Sequence, residues 1–239
     1  MPNANSNNGN SNGNSGNNTT TAGSGNINGG GGDDAILGTD NAEHINAGGG
    51  ADTITGGAGN DTIFGNGGTD TAVFSGDVRD YSFEAGKGNS LLVSGDDGND
   101  TLKHIEALSF DNATILLDGT NNGAVIDAFD VGSVADGDVI DLNVLETAWD
   151  YEGDTLTLVS LDAGDFAGTV SFGADGAVSI DVGDAYLHLD EGESETISLT
   201  YNVSDGTNVS ASTINFTIEG ANEAPEGEPI NGTADNDTF

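Results

Sequence analysis

Residues 29–73 read GGGGDDAIL, GTDNAEHIN, AGGGADTIT, GGAGNDTIF and GNGGTDTAV, nine-residue segments in one register that start at Gly29, Gly38, Ala47, Gly56 and Gly65. The sixth positions are acidic throughout: Asp34, Glu43, Asp52, Asp61 and Asp70. The eighth positions are Ile36, Ile45, Ile54, Ile63 and Ala72, and Ile27 keeps the same phase one step upstream. A fixed period held this long marks a stacked repeat architecture, because glycine richness alone does not phase isoleucines.

The glycines of each segment let the backbone take positive φ, which a tight turn requires and which Asn41 and Asn66 also tolerate. The first six positions therefore turn, and the last three form one short strand with a single inward side chain. Each segment is half a coil, and two complete a rung. Turns eighteen residues apart then stack, which puts Asp34, Asp52 and Asp70 in one column and Glu43 with Asp61 in the other. Rungs of a parallel sheet lie about 4.8 Å apart. A cation with oxygen ligands at about 2.4 Å on either side spans that gap. Without one, two carboxylates about 5 Å apart repel by roughly 3 kcal/mol at an effective dielectric of about 20. One buried isoleucine per nine ordered residues does not offset chain entropy, so the metal tips the balance toward folding. Oxygen-only ligands in a stack without a strict octahedron favour calcium over magnesium.

This pattern, G-G-x-G-x-D-x-U-x with U a large apolar residue, resembles the calcium-binding nonapeptide repeat of RTX (hemolysin-type) proteins. The resemblance implies a parallel β-roll over 27–73 and Ca2+ as the cofactor. The metal positions expected are Asp34, Glu43, Asp52, Asp61 and Asp70, with the turn glycines Gly30, Gly32, Gly48, Gly50, Gly57 and Gly59. Asp52 is expected to matter most, as the acid lying between two rungs of its column. Glu43 is expected to matter less, since its turn has lost glycines at Thr39 and Asn41.

The chain has 239 residues and a net charge of −38, with Arg79, Lys87 and Lys103 as its fixed cations. Such a surface repels nucleic acid and anionic membranes. There is no cysteine, so disulfides cannot serve as the staple of an extracellular fold, and calcium can. No apolar run is long enough to span a membrane. Residues 1–26 are an Asn/Gly/Ser tract expected to be disordered. That tract has neither a basic nor an apolar signal region, and its G-x-S-x-G match, Gly9 to Gly13, lacks the strand and helix a hydrolase elbow needs.

Residues 74–121 are expected to be a β-rich cap, with strands around 81–83, 91–93, 105–110 and 114–117 that cover the open roll edge. The segment resembles the tail that follows RTX arrays, through Asp70-Thr71-Ala72-Val73-Phe74-Ser75-Gly76, Asp80-Tyr81 and Asp100-Thr101-Leu102-Lys103-His104-Ile105-Glu106. Asp97-Gly98-Asn99-Asp100 reads as a surface hairpin turn, with a further ion site as the alternative. Over 122–220, strands are expected at 138–145, 154–161, 169–172, 177–181, 195–203 and 208–218. Hairpins fall at Gly173-Ala174-Asp175-Gly176 and Ser204-Asp205-Gly206. This is the pattern of an immunoglobulin-like β-sandwich, so the whole chain reads as all-β.

Residues Glu152 to Leu158, Tyr201 to Gly206 and Glu219 to Pro225 resemble VCBS and cadherin-like modules of bacterial surface proteins. In such modules an acidic linker can bind calcium; Asn222 and Glu223 are the candidates here, against a solvated linker. Residues 221–239 read as linker and the start of a further RTX repeat, with Asp237 and Phe239 in phase. His44, expected to point outward, and His104 and His188, expected in alternating strands, have no zinc-ligand spacing. No nucleophile, phosphate loop or redox centre stands out, so the chain is expected not to be an enzyme. The resemblances imply a secreted, extracellular segment of an RTX surface protein or adhesin, exported by a type I system and folding outside on calcium. A cell-surface glycan or protein receptor is the expected partner. The alternatives are an accessory module of a type I secreted protease, lipase or epimerase whose catalytic domain lies elsewhere, and a structural spacer.

Overall fold

The computed structural model describes residues 19–21 and 25–220. The chain divides after Val125 into two compact units. Expectations for residues 1–18 and 221–239, including the calcium-linker candidates and the trailing repeat, lie outside the described residues.

The first unit is a roll of two facing six-stranded sheets built from β1 (Thr19–Thr21), β2 (Asn26–Gly31), β3 (Ala35–Leu37), β4 (His44–Gly49), β5 (Thr53–Thr55), β6 (Thr62–Gly67), β7 (Thr71–Val73), β8 (Ser82–Ala85), β9 (Leu91–Gly95), β10 (Gly98–Lys103), β11 (Ala107–Ser109) and β12 (Thr114–Leu116). One sheet runs β1-β3-β5-β7-β11-β12 and the other β2-β4-β6-β10-β9-β8. Ala35 pairs Thr53 and Thr53 pairs Thr71 on one wall, and His44 pairs Thr62 on the other, so a rung is eighteen residues as the period requires. The three-residue strands bury only their middle residue. Ile36, Ile54 and Ala72 thus stack on one wall and Ile27, Ile45 and Ile63 on the other, all at 3% exposure or less.

Thr19–Thr21 pairs in parallel with Ala35–Leu37, so strand pairing begins inside the tract expected to be disordered. At the other end the stack outlasts Val73. Strand β10 pairs in parallel with β6, Thr101 against Thr62, and β11 pairs with β7, Ala107 against Thr71. Leu102, Leu108 and Ile115 extend the two isoleucine columns. Beyond them the antiparallel strands β8, β9 and β12 finish the sheets. Phe74, Tyr81, Phe83 and Phe110 fill the end of the roll with ring centroids 5.0 to 6.0 Å apart. The Tyr81 hydroxyl donates to the Ser75 carbonyl at 2.9 Å. The hairpin expected at 97–100 is present but turns earlier, at Asp96 and Asp97: Gly98 to Asp100 are already strand, paired antiparallel with Val93 to Gly95, and Gly98 also bridges Gly59 of the previous rung.

In the second unit, β13 (Phe129–Ala135), β14 (Val139–Asn143), β15 (Thr157–Asp162), β16 (Thr169–Phe172), β17 (Ala177–Asp181), β18 (Ser194–Ser204) and β19 (Val209–Glu219) form a four-stranded sheet, β13-β19-β18-β15, and a three-stranded sheet, β14-β17-β16. Both expected hairpins join antiparallel partners. Alternation along β18 and β19 buries Ile197, Leu199, Tyr201, Val203, Ile214, Phe216 and Ile218, which is how a sandwich wall fills its core. The Tyr201 hydroxyl donates to the Asp127 carbonyl. Strand β13 was not expected. It is a mostly exposed edge with a bulge at Gly132, φ +85°, and so lacks the alternation that marks a half-buried strand. Asn122 and Ala124 belong with the first unit; the Asn122 side chain pairs with both the N–H and the carbonyl of Leu116.

Replacing Ile54 by Ala should cost about 2–5 kcal/mol of the calcium-loaded roll, since the side chain is buried between Ile36 and Ala72. Leu37→Ala, at a position 48% exposed, should stay within about 0.5 kcal/mol. Urea unfolding of both variants in excess calcium measures the difference.

Candidate calcium columns of the roll

All five expected acids are buried, at 4% exposure or less, and the stack arranges them in the two columns that the period predicts. The contact is the same at each step: the backbone N–H of one acid donates to the carboxylate of the acid one rung on. Asp34 donates to Asp52 at 2.8 Å and Asp52 to Asp70 at 2.9 Å. In the other column Glu43 donates to Asp61 at 2.7 Å. Asp52, Asp61 and Asp70 thus each spend one oxygen on the rung below. The second oxygens of Asp52, Asp61 and Asp70 are buried without a hydrogen-bond partner. A buried anionic oxygen left this way is costly unless a cation reaches it.

The expected turn glycines take the backbone conformation assigned to them. Gly30, Gly32, Gly48, Gly50, Gly57 and Gly59 have φ between +91° and +132°. Gly48 shows why a side chain is excluded: a Cβ there would stand 1.9 Å from the Gly30 carbonyl oxygen of the rung below. Asn66 also adopts positive φ, at 74°, whereas Asn41, expected to share it, does not. The turn holding Asn41 is built differently, on Thr39. The Thr39 N–H and hydroxyl both donate to Glu43, at 3.0 and 2.5 Å, and hold that longer carboxylate against its own turn.

The columns are longer than the repeat register. Asp61 donates its N–H to Asp100 at 2.7 Å, and Asp70 donates to Glu106 at 2.8 Å. Asp52 is therefore not alone between two rungs: Asp61 and Asp70 hold the same interior place. Sequence reasoning missed Asp100 as a column member, although Gly98-Asn99-Asp100-Thr101 repeats Gly59-Asn60-Asp61-Thr62 letter for letter. Glu106 carries no such signal. It follows a bend at His104, φ +51°, and neither His104 nor the turn residue His188 lies in the alternating strand expected of it. His44 is exposed, as expected.

Burial raises three carboxyls of the columns, those of Asp61, Asp70 and Asp100. It lifts Asp61 to about 6, with the Glu43 charge adding and the Glu43 N–H opposing. It lifts Asp100 to about 7, helped by the charges of Asp61 and Asp97 and opposed by the Asp61 N–H. Asp70 moves in the same direction, again chiefly by burial. Among the described residues no three acidic or histidine side chains converge on one point. A cation in the columns would therefore draw on carboxylates of successive rungs together with turn carbonyls. Hard, charged oxygens with unsatisfied valence suit calcium.

The structure thus defines a parallel β-roll with two acidic columns, followed by an immunoglobulin-like sandwich. Residues 37–72 match the RTX calcium-binding nonapeptide repeat, in four copies, and residues 121–218 match the bacterial Ig domain. The chain carries RTX calcium-binding repeats and a bacterial Ig-like domain, and its cofactor is Ca2+. No curated protein matches the chain. Among solved structures, endo-fucoidan hydrolase MfFcnA4 from glycoside hydrolase family 107 is 21% identical with a TM-score of 0.32, over 58% of this chain and 20% of that one. Endo-fucoidan hydrolase MfFcnA9 is 19% identical with a TM-score of 0.28, over 57% and 25%. Titin domains Z1Z2 in complex with telethonin are 11% identical with a TM-score of 0.26, over 60% and 74%. The chain spans a quarter or less of the length of the hydrolases it matches, and TM-scores of this size carry neither fold nor function across.

Asp52→Asn keeps the acceptor for the Asp34 N–H but removes charge from an interior place, so it should lower calcium affinity about tenfold or more. Glu43→Gln should cost less, because Thr39 already occupies that carboxylate. Calorimetric titration of the two variants gives the ranking, and an equal or smaller loss for Asp52→Asn contradicts it.

Folded-state values of about 6 and about 7 for Asp61 and Asp100 lie above the ordinary 3.8, so the folded metal-free roll binds more protons than the unfolded chain. Their contribution to stability is complete below the unfolded value and is lost as pH rises through the folded ones. Whatever folded fraction the calcium-free roll retains should therefore shrink, and its melting temperature fall, from about pH 4 to about pH 7. Calcium affinity should rise over the same window as protons leave the columns. Thermal unfolding after removal of calcium, together with titrations at several pH values, checks both signs.

Proposed function

We propose that this chain is a non-catalytic, secreted, calcium-binding segment of a bacterial RTX surface protein or adhesin that folds on calcium after export. The observation that carries the reading is the set of buried, unpartnered carboxylate oxygens on Asp52, Asp61 and Asp70. A chain held at low calcium keeps these anions apart and remains extended, which suits passage through an exporter. Calcium outside neutralises the columns and makes the folded roll the stable form.

RTX repeats and bacterial Ig domains are typical of extracellular proteins. No helix among the described residues is long and apolar enough to cross a membrane. The Ig-like unit has its own two-sheet core and no comparable acid column among its described residues, so in this reading it displays loops while the roll senses calcium. Its likeness to VCBS and cadherin-like modules supports a glycan or protein receptor at a cell surface as the partner.

Circular dichroism of the full chain should show β structure increasing from chelator to millimolar calcium, with little response to equal magnesium. A chelator spectrum that already equals the calcium-loaded one would remove coupled folding from the reading.

A further inference from the structure

The wall of the roll that holds β2, β4, β6 and β10 turns Ile27, Ile45, Ile63 and Leu102 into the core. Side chains alternate along a strand, so the neighbours of these residues point outward. One outward row runs Asn28, Asn46, Phe64 and Lys103, held in register by parallel pairing. Neither this row nor the one beside it on the same four strands, which holds His44, contains an acid. The first acid on that side is Glu84, two strands beyond Lys103 on β8. On the opposite wall, β3, β5 and β7 present neither a cation nor an aromatic ring.

Phe64 is half-buried and forms the centre of this face. The Lys103 ammonium stands 5.6 Å from its ring centroid, and the exposed His44 ring lies 5.1 Å away. The Asn66 amide donates to the Asn46 side chain at 2.8 Å and to the Phe64 carbonyl at 3.2 Å. A Cβ on Gly88 would stand 3.8 Å from Lys103 Nζ, which places the ammonium beside the β8–β9 turn that carries the exposed Lys87. The chain has 41 acids against three fixed cations, so a lysine without a carboxylate is the exception to explain. Arg79 is paired with Asp77, but among the described residues neither Lys87 nor Lys103 forms an ion pair. The two lysines left without a carboxylate therefore lie at one end of the acid-free wall.

A lysine supplies a point charge for an anion. An aromatic ring packs against the C–H face of a sugar, and amide and imidazole groups reach its hydroxyls. A densely charged polyanion would also overlie the acidic turns that flank the strands and be repelled by them. A polymer with isolated carboxylates meets its charge partner at the lysine end alone. We propose that this wall binds an acidic polysaccharide of low charge density, one in which a uronate alternates with a neutral sugar. Its carboxylate sits at Lys103 and Lys87, and a sugar ring covers Phe64. The proposal rests on calcium-dependent folding of the roll, and it gives the glycan receptor of that reading a chemical class and a place. Glu43, Asp61 and Asp100 immediately precede His44, Thr62 and Thr101 on this wall. Calcium in the columns neutralises them, so calcium loading is a condition for holding an anionic sugar.

The probe is a hyaluronan oligosaccharide, which alternates glucuronate with N-acetylglucosamine and is not gelled by calcium. The full chain in millimolar calcium should bind it. Lys103→Gln and Phe64→Ala should each weaken that binding about tenfold or more, with calcium stoichiometry by calorimetry unchanged from the parent. A chitin oligosaccharide, which keeps the N-acetylglucosamine but has no carboxylate, should bind about tenfold more weakly than hyaluronan. No hyaluronan binding by the calcium-loaded parent, equal affinity in both variants, or tighter binding of heparin than of hyaluronan overturns the proposal and leaves calcium-dependent folding standing. Hyaluronan binding undiminished in chelator refutes the calcium condition. Absence of calcium binding in the parent overturns both readings. A measurement on the parent alone guards against a variant that does not fold: acetylation of Lys103, followed by mass spectrometry, should slow several-fold when hyaluronan is added in calcium. An unchanged acetylation rate refutes the site.

Discussion

A backbone N–H that donates to the carboxylate of the acid one rung further on is the contact from which the roll is built. It sets the vertical register, because it forms only when sixth positions lie directly above one another. It also buries a ladder of anions. Asp34, Asp52, Asp70 and Glu106 run along one side and Glu43, Asp61 and Asp100 along the other. The hydrogen bond satisfies one oxygen and leaves charge on the other, so the feature that fixes the register also makes the empty stack unfavourable. The requirement for calcium is thus a property of the backbone geometry.

The glycine turns follow from the same constraint. Rungs close enough for N–H to meet carboxylate bring the carbonyl of one turn against the α-carbon of the next, and a methyl group at Gly48 or Gly98 would enter the carbonyl below. The second repeat shows what happens when the glycines are lost. Thr39 and Asn41 leave the positive-φ turn, and Thr39 satisfies the longer Glu43 locally. That turn is self-contained, and its carboxylate is less available to an ion.

The sandwich rests on different physics. Its long strands β18 and β19 bury an alternating apolar face against a second sheet, and Tyr201 takes its hydroxyl into the core with a backbone acceptor supplied by Asp127. Burial of apolar side chains between two sheets supplies that core without any column of acids.

Period and chemistry made the roll legible in the residues. Acids and isoleucines phased at nine can be satisfied only by half-coils stacked at eighteen, and that placed Asp34, Asp52 and Asp70 above one another before any coordinates. Alternation and turn residues likewise marked the hairpins at Gly173 and Asp205. The exposed edge strand Phe129–Ala135 escaped, because without a buried face it has no pattern to read. What only the tertiary structure decided was where the columns end. Asp100 and Glu106 reach them across 39 and 36 residues of chain. A ladder closed by an out-of-phase segment is determined by which backbone docks on the last rung, and that choice depends on long-range pairing and on the fit of Leu102 and Leu108 over Ile63 and Ala72.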